Sequence, residues 1–351
     1  MDPADVETRT ALHRSIVIYT GLLLLTVAAL FAAIGILNRE VYSASAFVRI
    51  YLEALSDHDV DAALATPGVD LGTDDAPGTG EASLVDADAL GRLDAITEVS
   101  NTEIVPGRHR IVFSYTLGSG AGDGAADAEV SVPGQTEFDV VQTGTSWLFF
   151  PEWEFARSPT AHAGITVSHA SDITAGSAEV AVGEPGDFHA SGEFEVLVPS
   201  LTMLSHRSTY LGAVPTRLTA TKPSSSVSAI VDVQPTTAFL STVQQTVDQF
   251  LTDCAAEPLL YPPGCPFGLD VNDRIASEPA WSIESFPVLT ILAGQESWIV
   301  PSATGSARVK VDIRSLFDGT VTEYDKDIDF DVSYSITIEA ADELYIQEIS
   351  Q

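Results

Sequence analysis

AFVRIYLEALSDHDVDAALA, Ala46–Ala65, is the stretch on which the reading of this chain turns. Phe47, Ile50, Tyr51, Ala54 and Leu55 recur at the spacing of one helical face, within a helix that continues on from Val41. Asp57 interrupts the pattern, and a second short helix carries Val60, Ala63 and Leu64 before Pro67-Gly68 ends it. A polar, Gly/Asp-rich loop follows from Asp70 to Glu81, and a third helical stretch is expected over Val85–Ile96. The pattern then changes. Residues 109–117 (HRIVFSYTL) are rich in β-branched and aromatic side chains, and 137–155 (EFDVVQTGTSWLFFPEWEF) reads as a hairpin turning near Gly144. Helices first and antiparallel sheet afterwards define an α+β domain over 41–156.

Upstream, residues 16–37 (IVIYTGLLLLTVAALFAAIGIL) carry no charge. As a helix this run matches the ~30 Å hydrocarbon core of a bilayer at ~1.5 Å per residue. Ala44 and Ala46 give the A-x-A pattern that signal peptidase would need, but the apolar run exceeds the ~7–15 residues of a signal h-region and ends well before that site. The reading is an uncleaved anchor: a cytoplasmic tail over 1–14, a transmembrane helix over 15–37, and a partner bilayer through 16–37. Arg9 and Arg14 precede the helix and Arg39 and Arg49 follow it, so flanking positive charge does not set the orientation.

Charge does. The 351 residues hold 16 Lys+Arg against 50 Asp+Glu, a formal net charge of −34, and only Lys222, Lys310 and Lys326 are lysines. Such a chain repels phosphate backbones, which sets nucleic acid aside as a partner, and it is repelled by the anionic lipid of the cytoplasmic leaflet. With 45% hydrophobic and 19% charged residues it is a globular chain rather than a disordered one. Cys254 and Cys265 enclose AAEPLLYPPG, whose prolines and glycine turn the segment back on itself, so the two are read as a structural disulfide. Closing such a loop stabilises a fold by roughly 3 kcal/mol in the chain-entropy model. These observations place the N-terminus in the cytoplasm and the bulk outside the plasma membrane.

Residues 157–235 are rich in Val, Thr, Ser, Gly and Pro and show no helical period, so they read as a small all-β module. A helical pattern returns at 236–256, with Phe239, Val243, Val247, Phe250 and Leu251 on one face, and strands dominate from Trp281 onward. The segment 236–351 reads as a distant repeat of 41–156. Both open with a helix containing an Ala-Phe pair (Ala46-Phe47, Ala238-Phe239), and both end in a hairpin whose first arm reads Glu137-Phe138-Asp139-Val140 or Asp329-Phe330-Asp331-Val332.

The Phe47–Leu55 helix, the His58-Asp59 step and the small pair Ala62-Ala63 resemble the opening of NTF2-like superfamily domains, and the whole layout looks like membrane-anchored proteins of high-GC Gram-positive bacteria. The resemblance implies a cone-shaped helix-plus-sheet fold. The expected architecture is therefore α+β: one transmembrane helix, then two NTF2-like cones flanking the β module. That superfamily hosts enzymes, binding modules and structural domains alike, and its enzymes place polar groups inside the cone.

Chemistry is harder to find. The chain has no G-x-S-x-G, S-x-x-K, H-E-x-x-H or Walker glycine loop, and Gly118–Gly124 lacks the lysine and helix of a phosphate cradle. No catalytic residue, cofactor or metal ligand is assigned. Asp325, Asp327, Asp329 and Asp331 alternate along a strand and read as its solvated face. His162 and His169 fall on opposite strand faces, and His58-Asp59 falls on a helix corner. Trp147, Phe149, Phe150 and Trp153 are candidate pocket lining in the first cone, with ordinary core filling the preferred account. The leading expectation is a non-catalytic binding or envelope-scaffolding protein with an envelope partner. The alternatives are an enzyme or small-molecule receptor that uses a cone cavity, and an accessory of cell-wall synthesis.

Overall fold

The apolar run belongs to one long helix, α1 (Pro3–Glu40). The computed structural model describes residues 3–72, 84–119, 131–147, 149–339 and 343–349, with 3–17 described by their backbone. Within α1, Ile18–Glu40 is long and apolar enough to cross a membrane, with a mean hydropathy of 2.4 and none of its most apolar part buried by the protein. The chain does not run on as helix from Val41. Ser43 stops it: its Oγ accepts from the Ala46 N–H at 3.1 Å and caps a new helix, α2 (Ala44–Ser56).

The face that α2 buries is Ala44, Val48, Tyr51, Leu52 and Leu55, an i, i+4, i+7, i+8, i+11 stripe. Ile50, expected inside, is 57% exposed. Two apolar stripes lie side by side on this helix, and the sheet beneath covers the one containing Val48 and Leu52. Asp59 then caps the five-residue α3 (Val60–Leu64) by accepting from the Ala62 N–H at 3.0 Å, while His58 makes the corner with a positive φ of 58°.

Four antiparallel strands come next, in spatial order β1-β2-β3-β4: β1 (Arg92–Val105), β2 (Arg108–Gly118), β3 (Ser131–Ser146) and β4 (Phe150–Phe155). The helix expected over Val85–Ile96 does not form, because that stretch enters β1. Asp86 accepts from the Asp88 N–H at 2.9 Å to make a turn, and the Gly91 N–H donates to Leu201 O at 2.9 Å. Gly91 lies so close that a Cβ there would collide with the Gly118 and Leu201 carbonyl oxygens. The second hairpin does not turn at Gly144 either. Gly144 stands after a register shift against Glu152, the strand continues to Ser146, and Trp147 makes the turn at a φ of 52°.

Eight strands fill the next segment: β5 (Thr160–Ser168), β6 (Asp172–Ala175), β7 (Ala178–Ala181), β8 (His189–Leu197), β9 (Ser200–Ser205), β10 (Leu211–Ala213), β11 (Thr216–Ala220) and β12 (Ser226–Pro235). They form two four-stranded sheets, β10-β12-β5-β8 and β11-β9-β6-β7, in which β12 and β5 run parallel. The chain then enters α4 (Thr237–Ala256), capped by Thr236, whose Oγ1 accepts from the Phe239 N–H at 3.2 Å. Phe239, Val243, Val247, Leu251 and Cys254 are its buried face, with Phe250 half out at 39% exposure.

The last sheet contains β13 (Arg274–Ile275), β14 (Ala280–Ser285), β15 (Leu292–Ala293), β16 (Trp298–Arg314), β17 (Val321–Glu339) and β18 (Glu343–Glu348). Its long strands β16 and β17 pair across fifteen residue positions. Phe330 and Val332 are buried on β17, as Phe138 and Val140 are on β3, and each of these strands is third in its sheet's spatial order. Cys254 and Cys265 form a disulfide with their Cα atoms 5.9 Å apart, tying the end of α4 to the loop after it.

The core divides differently from the chain. One apolar cluster holds α2 and the first sheet together with Leu197, Leu201 and Met203 of the middle segment. A second, larger one runs without a break from the β5–β12 sheets through Phe239 and Trp298 into the last sheet. Tyr51 joins the first cluster to the middle strands: it is fully buried against Phe138 and Phe155, and its hydroxyl reaches Val198 O at 2.9 Å and Pro159 O at 3.2 Å. Burial pushes its pKa well above that of an ordinary tyrosine. Tyr51→Phe keeps the ring and takes the hydroxyl donor away from Val198 O, while Pro159 O keeps the Val198 N–H at 2.8 Å. It is expected to lower unfolding stability by about 1–3 kcal/mol with an unchanged urea m-value, which equilibrium denaturation measures.

Candidate functional site

Sequence reasoning puts Trp147, Phe149, Phe150 and Trp153 in the first cone, as core filling or else as pocket lining. The structure keeps only Trp153 against the apolar cluster of the first sheet, partly buried. Trp147 is 83% and Phe149 48% exposed, and both sit at the tip of the β3–β4 hairpin. The other two pack on the junction between α1 and α2. Phe150 stacks on Tyr42 with ring centroids 4.3 Å apart, and the Trp153 indole N–H donates to Tyr42 O at 2.9 Å. The Asn38 side-chain amide, at the end of α1, donates to Phe149 O at 2.8 Å. Phe150 and Trp153 therefore pack on the linker after α1, and the Phe149 backbone meets the helix end. The inner face of the first sheet is filled instead by Tyr51, Ile111, Phe113, Phe138 and Phe155, all buried.

A polar cleft forms where the middle strands meet the last sheet. Its volume is about 210 Å³, and its walls include His169, Asp187, Phe188, His206, Glu296 and Trp298. His169 continues the inward alternation of β5 one residue past its end, at a φ of 70°. Its Nδ1–H donates to Val233 O at 2.9 Å with Asp232 3.3 Å away. The ring lies 4.9 Å from Phe188, 5.4 Å from His189 and 5.2 Å from Trp298. His206, nearly buried, directs Nδ1 to Asp172 O at 3.1 Å. Such a site suits a small ligand with one flat apolar face and polar edges.

Sequence reasoning misses this cleft because its members come from the ends of four strands far apart in the chain. The single available signal is inward parity, which separates His169 from His162. The latter is exposed on the outer face and paired with Glu195, whose pKa is raised by burial and pulled back by His162. Among the described residues, no three His, Cys, Asp or Glu side chains converge as a metal site would require.

Two surface features stand apart from the cleft. The alternating aspartates of β17 do face outward, but Arg308 on β16 bridges them, with Nε 2.6 Å from Asp325 Oδ1 and a terminal guanidinium nitrogen 3.7 Å from Asp327. Lys310 lies 3.5 Å from Asp325, and the Thr304 hydroxyl donates to Asp331 at 2.6 Å. Beyond them, the β16–β17 turn presents Leu316 and Phe317, 72% and 99% exposed. That turn is well fixed: Ser315 Oγ accepts from the Phe317 N–H at 3.2 Å, Asp273 accepts from the Leu316 N–H at 3.1 Å, and Asp318 accepts from Thr320.

The chain matches no known protein-family profile and no curated protein. A solved structure described as an "Ntf2 like protein involved in plasmid conjugation" aligns over 74% of this chain and 78% of its own length, at 7% identity and a TM-score of 0.14. That score is too low to assign a fold or a role. The chain is a mixed α+β protein, mostly sheet, with one apolar N-terminal helix.

The Arg308 hydrogen bond holds the Asp325 carboxyl below the usual carboxylate range. A depressed native pKa contributes stability above the unfolded value and loses it as pH falls through the native one. Arg308→Ala is expected to raise the Asp325 titration midpoint toward that of an ordinary aspartate. Carboxyl-carbon NMR titration reads this directly, and an unmoved midpoint would show that the other neighbours set it.

Proposed function

We propose that this is a single-pass membrane protein with its N-terminus in the cytoplasm, and that its extracytoplasmic body is a non-catalytic binding or envelope-scaffolding module. In this reading the body is two NTF2-like helix-plus-sheet units around a β module. The repeated third-strand tetrapeptides and the helix backing each sheet support that arrangement. The exposed apolar α1 supports a membrane anchor, the disulfide supports an oxidising compartment, and the net charge of −34 supports a body kept away from anionic cytoplasmic lipid.

The observation that carries the non-catalytic reading is the filled interior of the first sheet. Side chains as large as Tyr51, Phe113 and Phe138 stand where a cavity-using protein of this shape would seat its ligand. Contact with a partner is then made from the surface, and the rigid Leu316-Phe317 turn is the best-presented apolar feature for it. The cleft beside His169 and Trp298 favours a second reading, a small-molecule receptor.

Full-length protein in its membrane decides between these. The expected results are resistance to alkaline extraction, digestion by protease added outside, and crosslinking to an envelope protein that Leu316→Ser/Phe317→Ser abolishes while stability stays within about 0.5 kcal/mol. Release by alkali, or protection from outside protease, would overturn the anchor or the orientation. Unchanged crosslinking would remove the turn as the contact. Ligand-dependent thermal stabilisation that Glu296→Gln weakens would establish the receptor reading instead.

A further inference from the structure

The hairpin that carries Trp147 and Phe149 packs beside the C-terminal end of α1. Going down β4 from Trp153 to Phe149, contacts move from Tyr42 to Asn38, that is, from the linker back onto the helix. Asn38 is the first polar residue after the uncharged run that ends at Leu37. A turn that touches Asn38 therefore sits at the depth where α1 leaves the hydrocarbon, and Trp147 shares that turn, two residues from Phe149.

The chemistry of the tip matches that depth. From Val140 to Pro151 the hairpin has no charged residue, in a chain with a net charge of −34, and Asp139 and Glu152 close the uncharged stretch at either side. Its turn position, which requires a positive φ and ordinarily takes glycine or asparagine, holds a tryptophan at 52° instead. The indole there stands out of the fold, 83% exposed. Indole and phenyl rings partition to the boundary between headgroups and acyl chains, where an apolar body and a polar edge are both satisfied.

We propose that the β3–β4 tip is a membrane-interface anchor, in which Trp147 and Phe149 insert at the headgroup boundary beside α1. This rests on the reading of α1 as a spanning helix. One helix fixes a single point, and the chain at 41–43 is a break in that helix. Insertion of the tip supplies a second point and sets the height and tilt of the body over the bilayer. The occupant is the zwitterionic interface itself, since the tip offers no cation to an acidic headgroup.

The test uses the full chain reconstituted into phosphatidylcholine vesicles, with lipids brominated at defined depths as quenchers. Wild-type and Trp147→Phe protein are compared by flotation, near-ultraviolet circular dichroism and tryptophan emission. The expected result is that both float, both keep the native spectrum, and wild type shows a quenched component absent from Trp147→Phe. Quenching should be strongest for bromines about 5–10 Å below the headgroup boundary. Equal fractional quenching of the two proteins would overturn the proposal while leaving the spanning helix intact, and would point to water or a protein partner around the tip. Failure of wild type to float would overturn the spanning reading, and the anchor with it. Phe149→Ser provides a second variant: its expected effect is a smaller blue shift of the Trp147 emission on reconstitution, and an unchanged shift would remove Phe149 from the anchor.

Discussion

The Tyr51 hydroxyl is the polar contact on which the arrangement of the body depends. Its ring fills the first sheet between Phe138 and Phe155, and its oxygen reaches across to Val198 and Pro159. A buried phenol without a partner is costly, and so is a buried carbonyl. The contact therefore ties α2 to the start of the middle segment at one register. Other contacts reinforce it nearby. Gly91 N–H donates to Leu201 O, and Tyr115, its pKa pushed up to about 12 by burial, shares a hydrogen bond with Thr136, whose hydroxyl donates to Thr221 O. Each of these contacts between the first sheet and the middle strands ends on a backbone carbonyl.

This suits a chain so short of cations. Several basic side chains sit on sheet surfaces facing acidic neighbours. Arg110 pairs with Glu137 and Asp139 on the first sheet, and Arg308 and Lys310 pair with the β17 aspartates on the last. On exposed strands these pairs add little stability individually. Their effect is to relieve repulsion between carboxylates that the alternation of each strand would otherwise align unopposed. Surface charge and interior hydrogen bonding are in this way kept apart.

Much of this is readable in the residues, and the failures have physical causes. The apolar span, the helix–sheet–strands–helix–sheet order and the turning Cys254–Cys265 segment are local signals, and each depends on composition over a short window. Periodicity puts Phe47, Tyr51, Ala54 and Leu55 on the packed side of α2 and misplaces Ile50, because tertiary packing rotates the buried face toward Val48 and Leu52. The expected helix over Val85–Ile96 loses to a turn built by Asp86 and Asp88 and to the close approach of Gly91 to Leu201, a partner 110 residues away. The aromatic run is expected inside a cone because aromatic clusters usually fill cores. What puts most of it outside is the neighbouring helix end at Asn38 and Tyr42, which no window around Trp147 contains. The cleft at His169 is illegible for the same reason.

The parallel pairing of β5 with β12 sets a condition on how the chain reaches this state. Thr166 lies opposite Ile230, and between them run six other strands, so this pair closes only after a long loop has been ordered. The core it closes then continues through Phe239 to Trp298, later still in the sequence. Early strands thus wait on late ones. Non-local pairing of this kind slows folding and makes it strongly cooperative, so an incomplete chain holds an open apolar edge until its last sheet arrives. The middle segment, though it reads as a module of its own, has an apolar interior that only α4 and the last sheet complete.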